Sequence, residues 1–254
     1  MTERLLVVVA HPDDESFGCG SILAHAAAGG VDTIVCCATR GEAASPGPDG
    51  GKATLAAVRE DELRAAADVL DVGHVVVLEY EDSGINGPLA AEALVAAPLD
   101  DVAAMVARVI DDNRPDLVVT LDASDGHRDH IHIRDATLLA VERATWPVER
   151  VYLACLARSL MQEWVAHLGA ADPDSEYLEL GRLGTPDEDI TTVVDTSDHY
   201  ELRWRAIRAH ASQASPFEIM PPDLQRAFLA TDRLRRIRPP WTGGPPERQL
   251  LRGS

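Results

Sequence analysis

Short runs of uninterrupted apolar residues alternate along this chain with longer stretches of mixed polarity. Leu5 to Val9 are apolar without a break and mostly β-branched. A strand with no polar alternation is covered on both faces, as in a parallel sheet. The same reading gives strands over 4–9, 33–38, 74–78, 117–121 and 150–156. Between them, apolar positions recur at helical spacing, which predicts helices over 17–28, 55–70, 99–113, 131–143 and 160–168. Strands alternating with helices of this length build right-handed β-α-β units. The expected fold class is therefore α/β: a Rossmann-like, mostly parallel sheet flanked by helices.

The rhythm changes after Gly169. Asp172-Pro-Asp-Ser-Glu is a turn-rich break, 189–195 reads as a strand, and 198–211 as a helix capped by Ser197 or Asp198. From residue 214 the chain is rich in Pro and Arg and reads as an irregular tail. The expected organisation is one domain over 1–213 with a C-terminal extension over 214–254, packed on that domain or on a partner subunit.

Polar residues concentrate where two of the strands end. The first strand runs directly into His11-Pro12-Asp13-Asp14-Glu15. In open α/β sheets, ligands bind outside the carboxyl ends of the strands. Imidazole nitrogen with carboxylate oxygen is a zinc-type ligand set, and a neighbouring spare carboxylate is a ready general base. Acids in a first helical turn are also favoured by the helix dipole alone, so the motif by itself leaves two readings. A second cluster shifts the balance. The strand over 117–121 feeds a loop containing Asp122, Asp125, His127, Asp129, His130 and His132. Parallel strands point the same way, so both clusters reach one edge of the sheet. His127 and His130, three apart, face one point if a helical turn begins between them. His132 reads as a structural residue of the following helix.

With these residues in view, the chain resembles the PIG-L/LmbE-like zinc-dependent N-acetylglucosaminyl deacetylases. His-Pro-Asp-Asp-Glu after the first strand, paired with a later His-x-x-His, carries the resemblance. Thr39-Arg40-Gly41-Glu42, Arg59-Glu-Asp-Glu62-Leu63, Asp82 and Ala209-His210-Ala-Ser212-Gln213 extend it from residue 4 to about 213. The resemblance implies that His11, Asp14 and His130 are zinc ligands and Asp13 the general base. It implies that His127 stabilises the oxyanion, oriented by Asp129, and that Glu42, Arg59 and Asp82 contact the sugar. Several relatives carry an aromatic hydroxyl where this chain has Asp125. The acidic loop of Asp122, Asp125 and Asp129 reads as solvated, and His210 as a structural histidine.

The implied chemistry is coherent. Three protein ligands leave one position for a water whose pKa zinc lowers to roughly 7, and a carboxylate beside it takes the proton. His127 helps an oxyanion when partly protonated, a state that a nearby Asp129 favours. Either Asp13 or His127 returns the proton to the leaving amine. The implied function is removal of an acetyl or other acyl group from an N-acylated amino sugar or related small amide, with one Zn2+ per chain. A His2Asp set also suits iron or another divalent ion. The alternatives are an amidase of sugar–thiol conjugates on the same centre, a silent sugar binder, and a nucleotide-binding module suggested by Gly18-Cys-Gly20. That last signal is weak because the charged motif occupies the strand-to-helix turn where the glycines belong.

Composition narrows the partners. The 254 residues carry 42 acids and 23 bases, a net charge of −19, which argues against nucleic acid and anionic membranes. The basic run from Arg233 to Arg238 reads as surface or interface. Cys19, Cys36, Cys37 and Cys155 lack metal or disulfide spacing and read as small buried residues in a reducing compartment. Cys36 and Cys37 should point to opposite faces of one strand. The first apolar run ends at the charged motif, so no secretory signal is read and a cytoplasmic location is expected. A homo-oligomer is expected, with the Pro-rich tail as a contact. The loops 42–54 and 79–98 both leave the motif side of the sheet and read as specificity loops.

Overall fold

A computed structural model of the chain describes residues 2–43, 51–171, 178 and 183–252. The elements, in order, are β1 (Arg4–Val9), α1 (Asp14–Ala28), β2 (Asp32–Thr39), α2 (Lys52–Val69), β3 (His74–Tyr80), α3 (Leu99–Asn113) and β4 (Leu117–Leu121). They continue as α4 (Arg128–Arg143), β5 (Arg150–Ala154), α5 (Arg158–Ala171), β6 (Thr192–Asp195), α6 (Tyr200–Ala209), α7 (Pro222–Leu229) and β7 (Thr231–Arg238). The seven strands form one sheet in the order β3-β2-β1-β4-β5-β7-β6. The first five run parallel, and β7 pairs antiparallel with both β5 and β6.

The uninterrupted apolar runs have the predicted cause: both faces of the sheet are covered. Leu5, Val7 and Val9 pack with Cys37, Val119 and residues of α1 and α2 such as Ile22, Leu23 and Leu63. Leu6 and Val8 pack on the other face with Cys36, Val118, Val106, Ile110 and Ile133 from α3 and α4. Cys36 and Cys37 thus face opposite ways, as period-two geometry requires. A third apolar cluster joins α5, α6 and α7 around Trp164, Ile207, Phe217 and Phe228. Among the described residues, no helix is long and apolar enough to cross a membrane.

The segment expected as an irregular tail takes part in the sheet. Pro222 occupies the first turn of α7, where its missing N–H costs nothing. Thr231–Arg238 then enters the sheet between β5 and β6, with Asp232 and Leu234 buried. Arg203 of α6, almost fully buried, bonds Asp232 at 3.3 Å and the backbone carbonyl of Ser16 at 3.1 Å. Residues 222–238 are thus built into the sheet and its helical cover. The strand expected over 189–195 is shorter, because Asp187–Asp189 forms a 3-10 turn ahead of β6. The break expected over 172–176 and the middle of the loop over 42–54 lie outside the described residues.

Strand order reverses on either side of β1, with β2 to one flank and β4 to the other. This is the switch point at which open α/β sheets bind ligands. The turns that follow β1 and β4 are the two polar clusters.

Candidate active site

Helix α1 begins at Asp14, so the acids of the first motif are themselves its first turn. Asp13 is the residue that caps the helix, yet its side chain makes no capping hydrogen bond. Its carboxylate turns instead to Arg59, 2.9 Å away. A dipole-favoured cap does not account for that geometry. Across the switch point, α4 begins at Arg128 with His127 as its cap residue, and the His127 ring accepts the backbone N–H of Asp129 at 3.2 Å.

Three donor atoms converge where the two turns meet. His11 Nδ1 lies 3.4 Å from Asp14 Oδ2, His130 Nε2 lies 3.3 Å from the same oxygen, and the two ring nitrogens are 3.3 Å apart. Ligand atoms on a tetrahedron with bonds of about 2.0–2.1 Å sit ~3.3–3.4 Å from one another. The fit also holds at the far side of each ring. His11 Nε2 meets Asp129 Oδ2 at 3.0 Å and His130 Nδ1 meets Asp125 Oδ2 at 2.5 Å. Each imidazole thus spends its N–H on a carboxylate and presents its other nitrogen to the convergence point, the arrangement of metal-ligating histidines. The ring nitrogens of His11, His127 and His130 also form a looser group within 4.8 Å. His127 Nδ1 is already occupied by Asp129, which makes Asp14 the better third donor. A further group of His11, Asp82 and Asp129 lies behind it, on the nitrogen of His11 that points away from Asp14.

The electrostatics favour a cation. Burial works against a charged His11, but Asp82, Asp129 and Asp14 outweigh it and hold the ring's pKa well above its ordinary value. His130 is pushed up to about 10, since Asp125 and Asp14 overcome burial. Burial opposes ionisation of Asp14 too, yet His130 and His11 hold it well below the usual carboxylate range. Burial raises Asp13 to about 6 against the opposing pull of Arg59. A carboxylate with a pKa near neutrality is suited to general-base chemistry.

Several sequence expectations are refined here. Asp129 orients His11 through its carboxylate and touches His127 only through its backbone N–H. His127 is not driven toward protonation. Burial first, then the charges of His11 and His130, lower its pKa to about 4 despite Asp129 and Asp125. Its Nδ1 accepts a hydrogen bond, so the neutral ring carries its proton on Nε2. Arg59 is turned inward. It is 3% exposed and donates to the carbonyls of Gly41 and Pro12, each at 2.6 Å, as well as to Asp13. Gly41 makes room for it: its φ is +67° and a Cβ there would overlap the guanidinium. So Arg59 builds the wall behind Asp13, with most of its guanidinium engaged by that turn. Asp82 sits 3.4 Å from His11 Nε2, which, against the cost of burial, holds its pKa low. Glu42 lies beyond Asp82 and lines a cleft of about 540 Å³ with Arg40, Ala53, Glu60 and Glu81. The acidic loop is not simply solvated, because Asp125 and Asp129 hold histidines and Asp122 accepts from Ser124 and Thr185. His132 lies on α4 outside this cluster, and burial lowers its pKa.

Three contributors escaped the sequence reading. Ser83 donates its N–H to Asp129 Oδ2 at 2.9 Å. Arg128 straps the loop that follows β3 by bonding the carbonyls of Ser83, Gly84 and Gly87. Glu15 accepts the N–H of Asp13 at 3.0 Å. Only Glu15 carried a signal, as the last acid of the first motif.

Known proteins resemble this chain in sequence and fold. The model of the family described as PIG-L, GlcNAc-PI de-N-acetylase, matches residues 6–141. A 1D-myo-inositol 2-acetamido-2-deoxy-alpha-D-glucopyranoside deacetylase from Mycobacteroides abscessus is 34% identical over 84% of this chain and 82% of its own. In structure, the N,N'-diacetylchitobiose deacetylase of Pyrococcus horikoshii superposes with a TM-score of 0.60 at 21% identity, covering 92% of this chain and 84% of that one. The 4-carboxy-2-hydroxymuconate hydratase of Pseudomonas putida superposes with a TM-score of 0.65 at 17% identity, covering 96% and 99%. These two structures establish the shared fold. Its occurrence in a hydratase leaves the chemistry to be argued from the site.

Proposed function

This chain belongs to the PIG-L family of de-N-acetylases, and from that membership we propose a metal-dependent hydrolase that deacylates an N-acylated amino sugar, with zinc as the metal. It is an enzyme that hydrolyses N-acetyl amide bonds, acting on an N-acetylglucosamine derivative. The finer reading assigns His11, Asp14 and His130 as metal ligands, and an inositol-linked N-acetylglucosamine, as named for the relative, as the first substrate to try.

When bound, the ion supplies Lewis acidity for water activation and carbonyl polarisation. The chain's own residues do the rest. Asp13 takes the proton of the attacking water, and its pKa of about 6 leaves it ionised at neutral pH. Arg59 holds Asp13 Oδ2 and the Pro12 carbonyl, which fixes the direction of the base. His127, neutral with its proton on Nε2, is a hydrogen-bond donor for the developing oxyanion, a contact worth about 2.7–4 kcal/mol where it has been removed from other enzymes. Asp13, protonated in the first step, is then the acid for the departing amine. Glu42, which lines the cleft, is assigned to the sugar hydroxyls, whereas the Asp82 side chain is only 7% exposed and turns to His11 Nε2.

The observation that carries the reading is the set of three donor atoms separated by 3.3–3.4 Å. Metal content measured on wild type and Asp14→Ala, together with acetate release from N-acetylated sugars, tests it. About one ion per chain in wild type, its loss in the variant and acetate release by the loaded protein are expected. A wild type that takes up no zinc ends the proposal.

A further inference from the structure

We propose that His210 is a positioning residue for the hydrolysis, acting through Glu15 on the backbone of Asp13. This rests on the assignment of Asp13 as the base. Asp13 has φ 130° and ψ −33°, a region that residues with a Cβ occupy only under constraint, at a cost on the order of 1–3 kcal/mol. Something must hold it there, and two grips are visible. Arg59 holds the carboxylate and the preceding carbonyl from one side. Glu15 holds the N–H from the other, with Oε2 at 3.0 Å.

Glu15 is itself fully buried. Its second oxygen, Oε1, accepts the Ser16 hydroxyl at 2.5 Å and meets His210 Nε2 at 2.7 Å. A buried carboxylate that lacks hydrogen-bond donors rotates toward them or takes up a proton. Donors on Oε1 therefore keep Oε2 aimed at the Asp13 N–H. His210 arrives from 195 residues away, at the residue that closes α6. Its side chain is fully enclosed, with the Phe17 ring edge-on at 6.3 Å, and its Nδ1 has no partner. Its only polar side-chain contact among the described residues is thus Glu15.

The end of α6 is fixed as well. Ser212 bonds Glu62 of α2 through both its N–H and its hydroxyl, each at 2.7 Å. Arg59 lies on that same helix, one turn earlier. Arg59 and the His210 that braces Glu15 are consequently parts of one block formed by α2 and the end of α6. Asp14 is held separately, by the N–H of His11 at 2.8 Å. Loss of His210 should then disturb the base more than the metal ligands.

The test compares full-length wild type, His210→Leu, His210→Gln and His210→Asn, all zinc-loaded. Gln places an N–H near the position of the imidazole Nε2, Asn falls short of it, and Leu has no donor. Two readouts are taken: amide hydrogen exchange at Asp13 by NMR, and kcat and KM for acetate release from an inositol-linked N-acetylglucosamine. In the Leu variant, Asp13 exchange should quicken by about tenfold or more while the β1 amides stay protected. Its kcat should drop roughly 10–100-fold, as for a misplaced catalytic group, with KM and zinc content near wild type. Gln should restore both readouts. Unchanged exchange and kcat in the Leu variant overturn the proposal, as does a Gln variant no better than Leu. If the Leu protein does not fold, Gln and Asn decide, and equal behaviour of that pair overturns it. Asp13→Asn is run alongside. Retained turnover there sinks the base assignment itself, whereas Asp13 amide exchange still reports on the His210 contact.

Discussion

The carboxylate of Asp125 meets Nδ1 of His130 at 2.5 Å, so a metal-competent histidine carries an acid on its far side. The same carboxylate group accepts the N–H of His127 at 3.1 Å and so shapes the turn that presents both histidines. A carboxylate so placed fixes the tautomer of a metal-competent histidine and raises its basicity. Asp125→Ala is expected to weaken zinc binding by roughly 10–100-fold. Asp125→Asn, which keeps an acceptor oxygen and loses the charge, should fall between the two. Competition against a chromophoric chelator at fixed pH measures this. Equal affinities in all three proteins would show that the contact does not tune the metal.

With Asp13 as the proposed base, its protonation should set the acid side of the pH profile. The base works only when ionised, and burial holds its pKa at about 6. Activity should therefore be lost as pH falls through that value. A bound cation favours the ionised form, which places the limb of kcat/KM near or below pH 6. Asp13→Asn should keep its zinc, lose the limb and lose about 100-fold or more in kcat. A limb near pH 8 in wild type that persists in the Asn variant would assign it to another group.

Arg59 offers a second handle on the same group. Its guanidinium lowers the Asp13 pKa, so Arg59→Met should shift the acid limb upward in pH. The variant also strands two carbonyls and a carboxylate in a buried setting. Breaking such a pair costs about 3–5 kcal/mol, visible as a lower urea midpoint. Arg59→Lys retains charge without the planar fork and should recover the pH shift better than the stability. If the Met variant shows a wild-type profile and an altered KM alone, Arg59 acts on substrate after all.

What the sequence made legible follows from how local each signal is. His11, Asp13, Asp14 and His130 stand at the ends of strands whose burial on both faces is written in consecutive apolar residues. Once β1 and β4 are parallel neighbours, their meeting is unavoidable. Arg59 was harder, since its place on α2 does not say whether the guanidinium turns to solvent or reaches back across the turn to Pro12. Asp125 and Asp129 looked like a solvated acidic loop because the turn that points them at histidines depends on contacts with α4 and Ser83. The strand β7 was hidden by composition. Arg233, Arg235, Arg236 and Arg238 can cover a sheet with their stems while their charged ends reach outward, and only pairing with β5 and β6 makes that segment a strand.

That strand is tied to the rest by a buried ion pair, and the pair is testable. Arg203 and Asp232 are each 4% exposed in their side chains and 3.3 Å apart, linking α6 to β7. Burial raises the Asp232 pKa while Arg203 and Thr196 lower it. Arg203→Met removes the largest opposing influence, so the folded-state pKa of Asp232 rises further above its unfolded value. The unfolded state then releases the proton first, and stability drops as pH climbs from about 4 toward that raised value. The variant should be close to wild type at pH 4 and weaker by about 3–5 kcal/mol at pH 8. Adding Asp232→Asn removes the stranded charge and should recover much of the deficit at pH 8. Urea unfolding of both variants at the two pH values measures it. A single variant with the same deficit at pH 4 and pH 8 would mean that Arg203 acts through its bonds to the α1 carbonyls rather than through the charge of Asp232.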